Sequence, residues 1–346
     1  MTLQYSTEGM PLAVRQQRGS FPVPARTARR SSRPGLVGGA ALVSAVLAST
    51  GLGTSPAAAI AAPATIFVAN YDASNITSYP LAANGNTAPK VTLSAQISSP
   101  QGLSFDSSGD LWVGNGNGVL EFTKSQLTKT SSSPKVVITS NSGAAAAGLA
   151  FDSSGDLWLD SYGGDSVVEY AKSQLGKPGS PTPKVTITNS NFGSPFGLAF
   201  DHSGNLWVGN ESTGDVMEYT KSELSGVLPS AKVTISTTGA EGIVFDSSGD
   251  LWVANGNDAV SEYAKSQLTK SGAPAPRVTI SVSAGSQPHG VTFDSSGNLW
   301  VASYGASTVM ELTKAQLTKS GSPTPRRTVV GSRTGLGGPL SLAIEP

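Results

Sequence analysis

The chain has 346 residues, 23 basic and 23 acidic side chains, and no cysteine. The missing cysteines exclude disulfides, thiolate metal sites and a cysteine nucleophile, so stability rests on packing, which a domain of this size can supply unaided. Arg15, Arg18, Arg26, Arg29, Arg30 and Arg33 face a single acid, Glu8, near the N-terminus; the rest of the chain is acidic overall and has no basic run of the kind that nucleic acid or an anionic membrane would attract.

Residues 1–33 are polar and basic, residues 36–48 (LVGGAALVSAVLA) are apolar and small, and alanines follow. That order is the layout of a secretory signal peptide, with Ala57-Ala58-Ala59 and Ala59-Ile60-Ala61 as competing cleavage sites. We expect residues 1–61 to be a signal peptide with a long basic leader. Residues 62–346 then form the mature domain, located outside the cytoplasm in the envelope or the medium. The apolar stretch is short against the ~20 residues of a membrane span, so no membrane insertion is expected after cleavage. Arg29-Arg30 is followed by SSRPG, which suits twin-arginine export poorly.

The mature region repeats one phrase five times: FDSSGDLWV from Phe105, FDSSGDLWL from Phe151, FDHSGNLWV from Phe200, FDSSGDLWV from Phe245 and FDSSGNLWV from Phe293. The spacings are 46, 49, 45 and 48 residues, and all five tryptophans hold the same place in it. A period of that length made of short strands and turns is the signature of a propeller blade.

Each unit reads as four strands. In the copy from Gly148, residues 148–151 form the first and 157–159 the second. Residues 167–172 form the third, and a proline-bearing connection leads to the fourth at 185–188. The consecutive apolar residues of the second strand suit a sheet covered on both faces, with the tryptophan between blades. Residues 66–70 align with the second strand and residues 341–345 with the first. The predicted fold is therefore an all-β, six-bladed β-propeller of four-stranded antiparallel blades, closed by pairing of the C-terminal strand with the N-terminal blade.

The D-x-S-G-D/N loop admits calcium binding or plain turn chemistry. Two carboxylates in five residues are few for calcium, whereas an aspartate cap and a positive-φ glycine are ordinary turn chemistry. The Lys-Ser-Gln-Leu-Thr-Lys connections are expected to be short helical turns on the blade edge.

The phrase G-h-x-F-D-x-S-G-x-L-W-V-A-N/S, with h apolar, resembles the NHL-repeat propellers and is similar to the streptogramin lyase and gluconolactonase-type six-bladed families. The chain departs from the NHL pattern where an acid commonly follows the V-A step, and the usual asparagine before the third strand occurs only at Asn75. The resemblance implies a fold; for activity it implies only that metal-dependent lactonases and lyases of this shape use ligands at the mouth of the central channel.

Loops entering the first strands and leaving the second strands share that mouth. The second strands end in Asn70, Asn115, Ser161, Asn210, Asn255 and Ser303, a neutral polar ring expected to contact ligand. Just before the first strands stand Gln101, Ala147, Phe196, Glu241, His289 and Leu340, and Gln101 joins the expected ligand contacts. Asp160 replaces a small residue found in the other copies. Glu241, His289 and Asp160 are candidate ligands for a divalent metal. No Ser/His/Asp triad signature, phosphate-binding glycine loop or zincin motif is present, so no catalytic residue is assigned. The expected function is a monomeric, non-catalytic binding or scaffold module for a peptide, glycan or protein. A metal-dependent lactonase or lyase is the alternative, and a structural envelope protein working through its Lys-Ser-Gln-Leu-Thr-Lys surface is a third possibility.

Overall fold

The computed structural model describes residues 64–346 apart from 117, 141–144 and 225–229, so the expected signal peptide lies outside the described residues. It is an all-β, six-bladed propeller: six sheets of four strands, each antiparallel throughout. Blade 1 combines residues 65–93 with the C-terminal strand Pro339–Ile344, and blades 2 to 6 follow in chain order. The closing register sets Ile66 opposite Ile344, Phe67 opposite Ala343 and Val68 opposite Leu342. The buried Tyr79 hydroxyl also donates to the Thr334 carbonyl, tying blade 1 to the segment that leads into the last strand.

Blades are joined face to face by the repeated aromatic pair. Trp112 packs edge-on against Phe151 of the next blade at 6.0 Å, and Trp158–Phe200, Trp207–Phe245 and Trp252–Phe293 repeat the contact. In blade 1 Phe67 stands at the tryptophan position and meets Phe105 at 5.6 Å. Burying such a ring contributes several kcal/mol, roughly 3–5 by truncation, so these five junctions supply much of a core without disulfides.

The D-x-S-G-D/N loop is a turn device. Asp106 Oδ1 accepts from the backbone N–H groups of Ser108 (2.8 Å) and Asp110 (3.0 Å), and its Oδ2 accepts from Trp112 Nε1 at 3.2 Å. Gly109 follows with φ of 78°, where a side chain would be strained. Position five needs only an acceptor. Asp110 Oδ1 accepts the N–H of Lys124, and Asn205 Oδ1 accepts that of Lys221, which is why Asp and Asn interchange there. The expected helical turns are one-turn 3₁₀ helices in blades 2, 3, 5 and 6, such as Lys265–Thr269, which buries Leu268.

Candidate ligand site at the channel mouth

The ring Asn70, Asn115, Ser161, Asn210, Asn255 and Ser303 lies at the ends of the second strands, and all six residues are buried. The asparagines hold the loops of this face together. Asn70 Nδ2 donates to Asn75 Oδ1 and Thr77 Oγ1, both at 2.9 Å. Asn115 Oδ1 accepts from Ser98 N at 2.7 Å while its Nδ2 donates to Gln96 O. Asn210 Nδ2 donates to Asp215 Oδ1, and Asn255 Oδ1 accepts from the N–H groups of Asn257 and Ala259. One residue further along, the chain reaches the mouth itself. That position holds Tyr71, Tyr162, Glu211 and Tyr304, with Gly116 and Gly256 in the two remaining blades.

The residues before the first strands line the inside of the mouth. Pro195, Pro288 and Pro339 each open a six-residue first strand, and the register shifts at the next residue: Phe196, His289 or Leu340. A bulge of this kind re-aims a side chain. Ala147, Phe196 and Leu340 gather into an apolar plug, with Tyr71 and Tyr304 packed on it. The plug residues and the glycines that start the first strands border a central cavity of about 90 Å³. The crowding there accounts for the glycines that start the first strands: a Cβ on Gly242 would lie 2.2 Å from His289 O. Gln101 is buried beside the plug with no hydrogen bond to its Oε1 among the described residues.

Glu241 and His289 come together across the junction of blades 5 and 6. His289 Nδ1 lies 3.3 Å from Glu241 Oε2, and both side chains are largely buried. The approach lacks hydrogen-bond geometry, so among the described residues neither atom has a hydrogen-bond partner. The imidazole sits between rings, 5.6 Å from Phe196 and 5.5 Å from Tyr304, and Phe196 meets Tyr162 at 6.0 Å. Gly256 leaves room for the carboxylate, since a Cβ there would come within 2.7 Å of Glu241 Oε1.

Asp160 does not join this pair. It is fully buried in the second strand of blade 3, and its Oδ1 accepts the backbone N–H groups of Ala147 (3.1 Å) and Gly148 (2.8 Å). Burial pushes its carboxyl well above the ordinary aspartate value, outweighing those two donors. Among the described residues, the groupings of three acidic side chains close enough to share an ion are Asp152/Asp156/Glu169 and Asp246/Asp250/Glu262, on the opposite face. Lys184 already bonds Asp156 and Glu169, and Arg277 bonds Asp250 and Glu262. Of the three expected metal ligands, Glu241 and His289 therefore meet at one point, and Asp160 is bonded to backbone N–H groups elsewhere.

Charge separates the two faces. Lys124, Lys172, Lys221, Lys265 and Lys314 lie against the glycines of the D-x-S-G-D/N turns, whereas Asp72, Glu211 and Glu241 stand at the mouth. Glu211 and Glu241 border one polar cavity of about 440 Å³ between blades 4 and 5. Burial and the neighbouring Glu241 charge raise the Glu211 carboxyl above its ordinary range, partly offset by the Tyr162 phenol. Burial and Glu211 in turn push Tyr162 up to about 12. Aromatic rings and the carboxylates of Glu211 and Glu241 thus meet at the mouth.

No protein-family model matches the chain, and no curated protein matches it in sequence. Solved structures match its fold. A protein from Bacteroides caccae is 10% identical over 82% of this chain and 99% of its own, with a TM-score of 0.60. The periplasmic gluconolactonase of Pseudomonas aeruginosa is 14% identical over 82% and 99%, with a TM-score of 0.55. A streptogramin B lyase is 13% identical over 78% and 80%, with a TM-score of 0.51. The chain shares the propeller architecture of these proteins.

Proposed function

We propose that the protein is a secreted, non-catalytic binding module whose channel mouth captures a cationic organic group, such as the lysine side chain of a peptide. The reading rests on the Glu241–His289 contact, two buried polar atoms that face each other without a hydrogen bond inside a wall of aromatic rings. An ammonium group placed there would donate to Glu241 and Glu211, and the ring faces of Tyr162, Phe196 and Tyr304 would attract it through their quadrupoles. A site of this polarity repels carboxylates and phosphates. Titration calorimetry with hexalysine, hexaglycine and hexaglutamate tests the proposal. Heat from hexalysine alone, lost in Glu211→Gln/Glu241→Gln, is the expected result. Equal binding of hexaglycine, or no binding of hexalysine, overturns it. Turnover of a gluconolactone or a streptogramin would instead favour the enzyme reading carried by the lactonase and lyase neighbours.

A further inference from the structure

Three clefts of one design lie between blades on the D-x-S-G-D/N face, away from the channel mouth. Their volumes are about 370 Å³ at blades 2 and 3, 470 Å³ at blades 3 and 4, and 450 Å³ at blades 5 and 6. The floor of each is the partly exposed phenylalanine of the later blade, Phe151, Phe200 or Phe293, with the buried Trp112, Trp158 or Trp252 behind it. Serines from the turns form the rim, with His202 beside Ser203 on one side of the cleft at blades 3 and 4, and a lysine folds over the turn glycine of the later blade.

Turn formation accounts for the aspartate and the glycine but not for the serines. Among the described residues, the exposed hydroxyls of Ser107, Ser108, Ser153 and Ser154 make no hydrogen bond to protein, yet the pair recurs in four of the five phrases. The fifth copy differs in an informative way. His202 replaces the first serine, and its Nδ1 lies 3.6 Å from where a Cβ on Gly249 would stand, so its ring spans the junction of blades 4 and 5. In the cleft at blades 3 and 4, the buried Trp158 Nε1 has no hydrogen-bond partner among the described residues, unlike its counterparts Trp112, Trp207, Trp252 and Trp300.

The lining selects the class of ligand. Asp152, Asp156, Glu169 and Asp201 outnumber Lys184 and Lys221 in the largest cleft, which disfavours an anion. Lys184 already bonds Asp156 and Glu169, and Asp152 and Asp201 are engaged by backbone N–H groups of their own turns, which disfavours a metal ion and an organic cation alike. What remains is a neutral group rich in hydroxyls, with an apolar C–H face for the aromatic floor and both donors and acceptors for the rim. We propose that the three clefts are equivalent subsites for neutral sugar residues of a glycan, giving the protein multivalent attachment through the face opposite its channel mouth.

The test is calorimetry with chitohexaose, cellohexaose and laminarihexaose, together with retention on the matching insoluble polysaccharides. Ser107→His/Ser153→His/Ser247→His copies the natural His202 into the three open clefts, and Ser108→Glu/Ser154→Glu/Ser248→Glu narrows them with charge instead. Circular dichroism and thermal melts establish that each variant folds. At least one of the sugars should bind the wild type with more than one site per chain, and each folded triple variant should lose about tenfold or more in affinity. Glu211→Gln/Glu241→Gln should leave sugar binding unchanged. Failure of the wild type to bind any of the three sugars overturns the proposal, as does binding that survives both triple variants or is lost in the channel-mouth variant.

Discussion

Glu241 Oε2 and His289 Nδ1 approach to 3.3 Å from neighbouring blades, and neither atom has a hydrogen bond within the described protein. Buried polar atoms of this kind cost free energy unless something satisfies them, so the contact marks the point where a ligand group is most favourably placed. The Pro288 bulge carries His289 to that point, and Gly256 admits the carboxylate.

The first prediction concerns Glu211. Its carboxyl is raised by burial and by Glu241, so it ionises later than an exposed glutamate as pH rises. Affinity for hexalysine should therefore climb with pH through that raised value and level off once Glu211 is charged. Glu211→Gln should weaken binding by about 1–2 kcal/mol at pH 8 and flatten that climb. Calorimetry from pH 4 to pH 8 reads both effects. A climb that persists unchanged in the variant would assign the titration to another group.

Asp160 yields a prediction about stability with the opposite pH trend. Its folded-state value lies above the ordinary 3.8, so its contribution is fullest below 3.8 and is lost as pH rises from there through the raised value. Asn at this position keeps an acceptor for the N–H groups of Ala147 and Gly148 and cannot ionise. Asp160→Asn should raise Tm by about 2–4 °C at pH 8 and have little effect at pH 4. Thermal melts at the two pH values check this, and a variant less stable at pH 8 would show that the carboxylate is needed there.

Much of the fold is legible in the sequence because each device repeats locally. The cap of Asp106, the positive φ of Gly109 and the indole of Trp112 belong to one nine-residue phrase, and the closing strand is recognisable as a displaced copy of 149–151. The mouth is less legible because it departs from the repeat. Side chains alternate along a strand, so Asn70, Asn115, Asn210 and Asn255 are turned to the loops, and the next residue carries Tyr71 or Glu211 over the mouth. The signal is three tyrosines and a glutamate set against two glycines. Glu241 and His289 stand out as neighbours once the copies are aligned, whereas the partners of Asp160 are backbone N–H groups of the adjacent strand, which no residue type announces.

Ring closure gives a third prediction. Deleting residues 341–346 removes the strand opposite Ile66, Phe67 and Val68, leaving an unpaired inner edge and exposing the buried Leu342 contact. Tm should fall by about 10 °C or more, with a rise in aggregation. Tyr79→Phe removes only the hydrogen bond to Thr334 and should cost about 1 kcal/mol. A truncated protein that melts with the full-length domain would rule out closure through this strand.

The last prediction separates packing from hydrogen bonding at the blade junctions. Trp112 and Trp158 are equally buried, and each meets a phenylalanine of the next blade edge-on, at 6.0 and 6.2 Å. They differ at one atom: Trp112 Nε1 donates to Asp106 Oδ2 at 3.2 Å, and Trp158 Nε1 has no partner among the described residues. Phe in place of either indole removes the same volume and the N–H. In blade 2 it also strands an aspartate oxygen that had an indole donor; in blade 3 it relieves an unsatisfied buried donor. Trp112→Phe should therefore be more destabilising than Trp158→Phe by about 1 kcal/mol, measured as a difference in urea midpoint at constant m-value. Equal losses would mean that packing alone sets the energy of these junctions and that the indole–aspartate bond contributes nothing net.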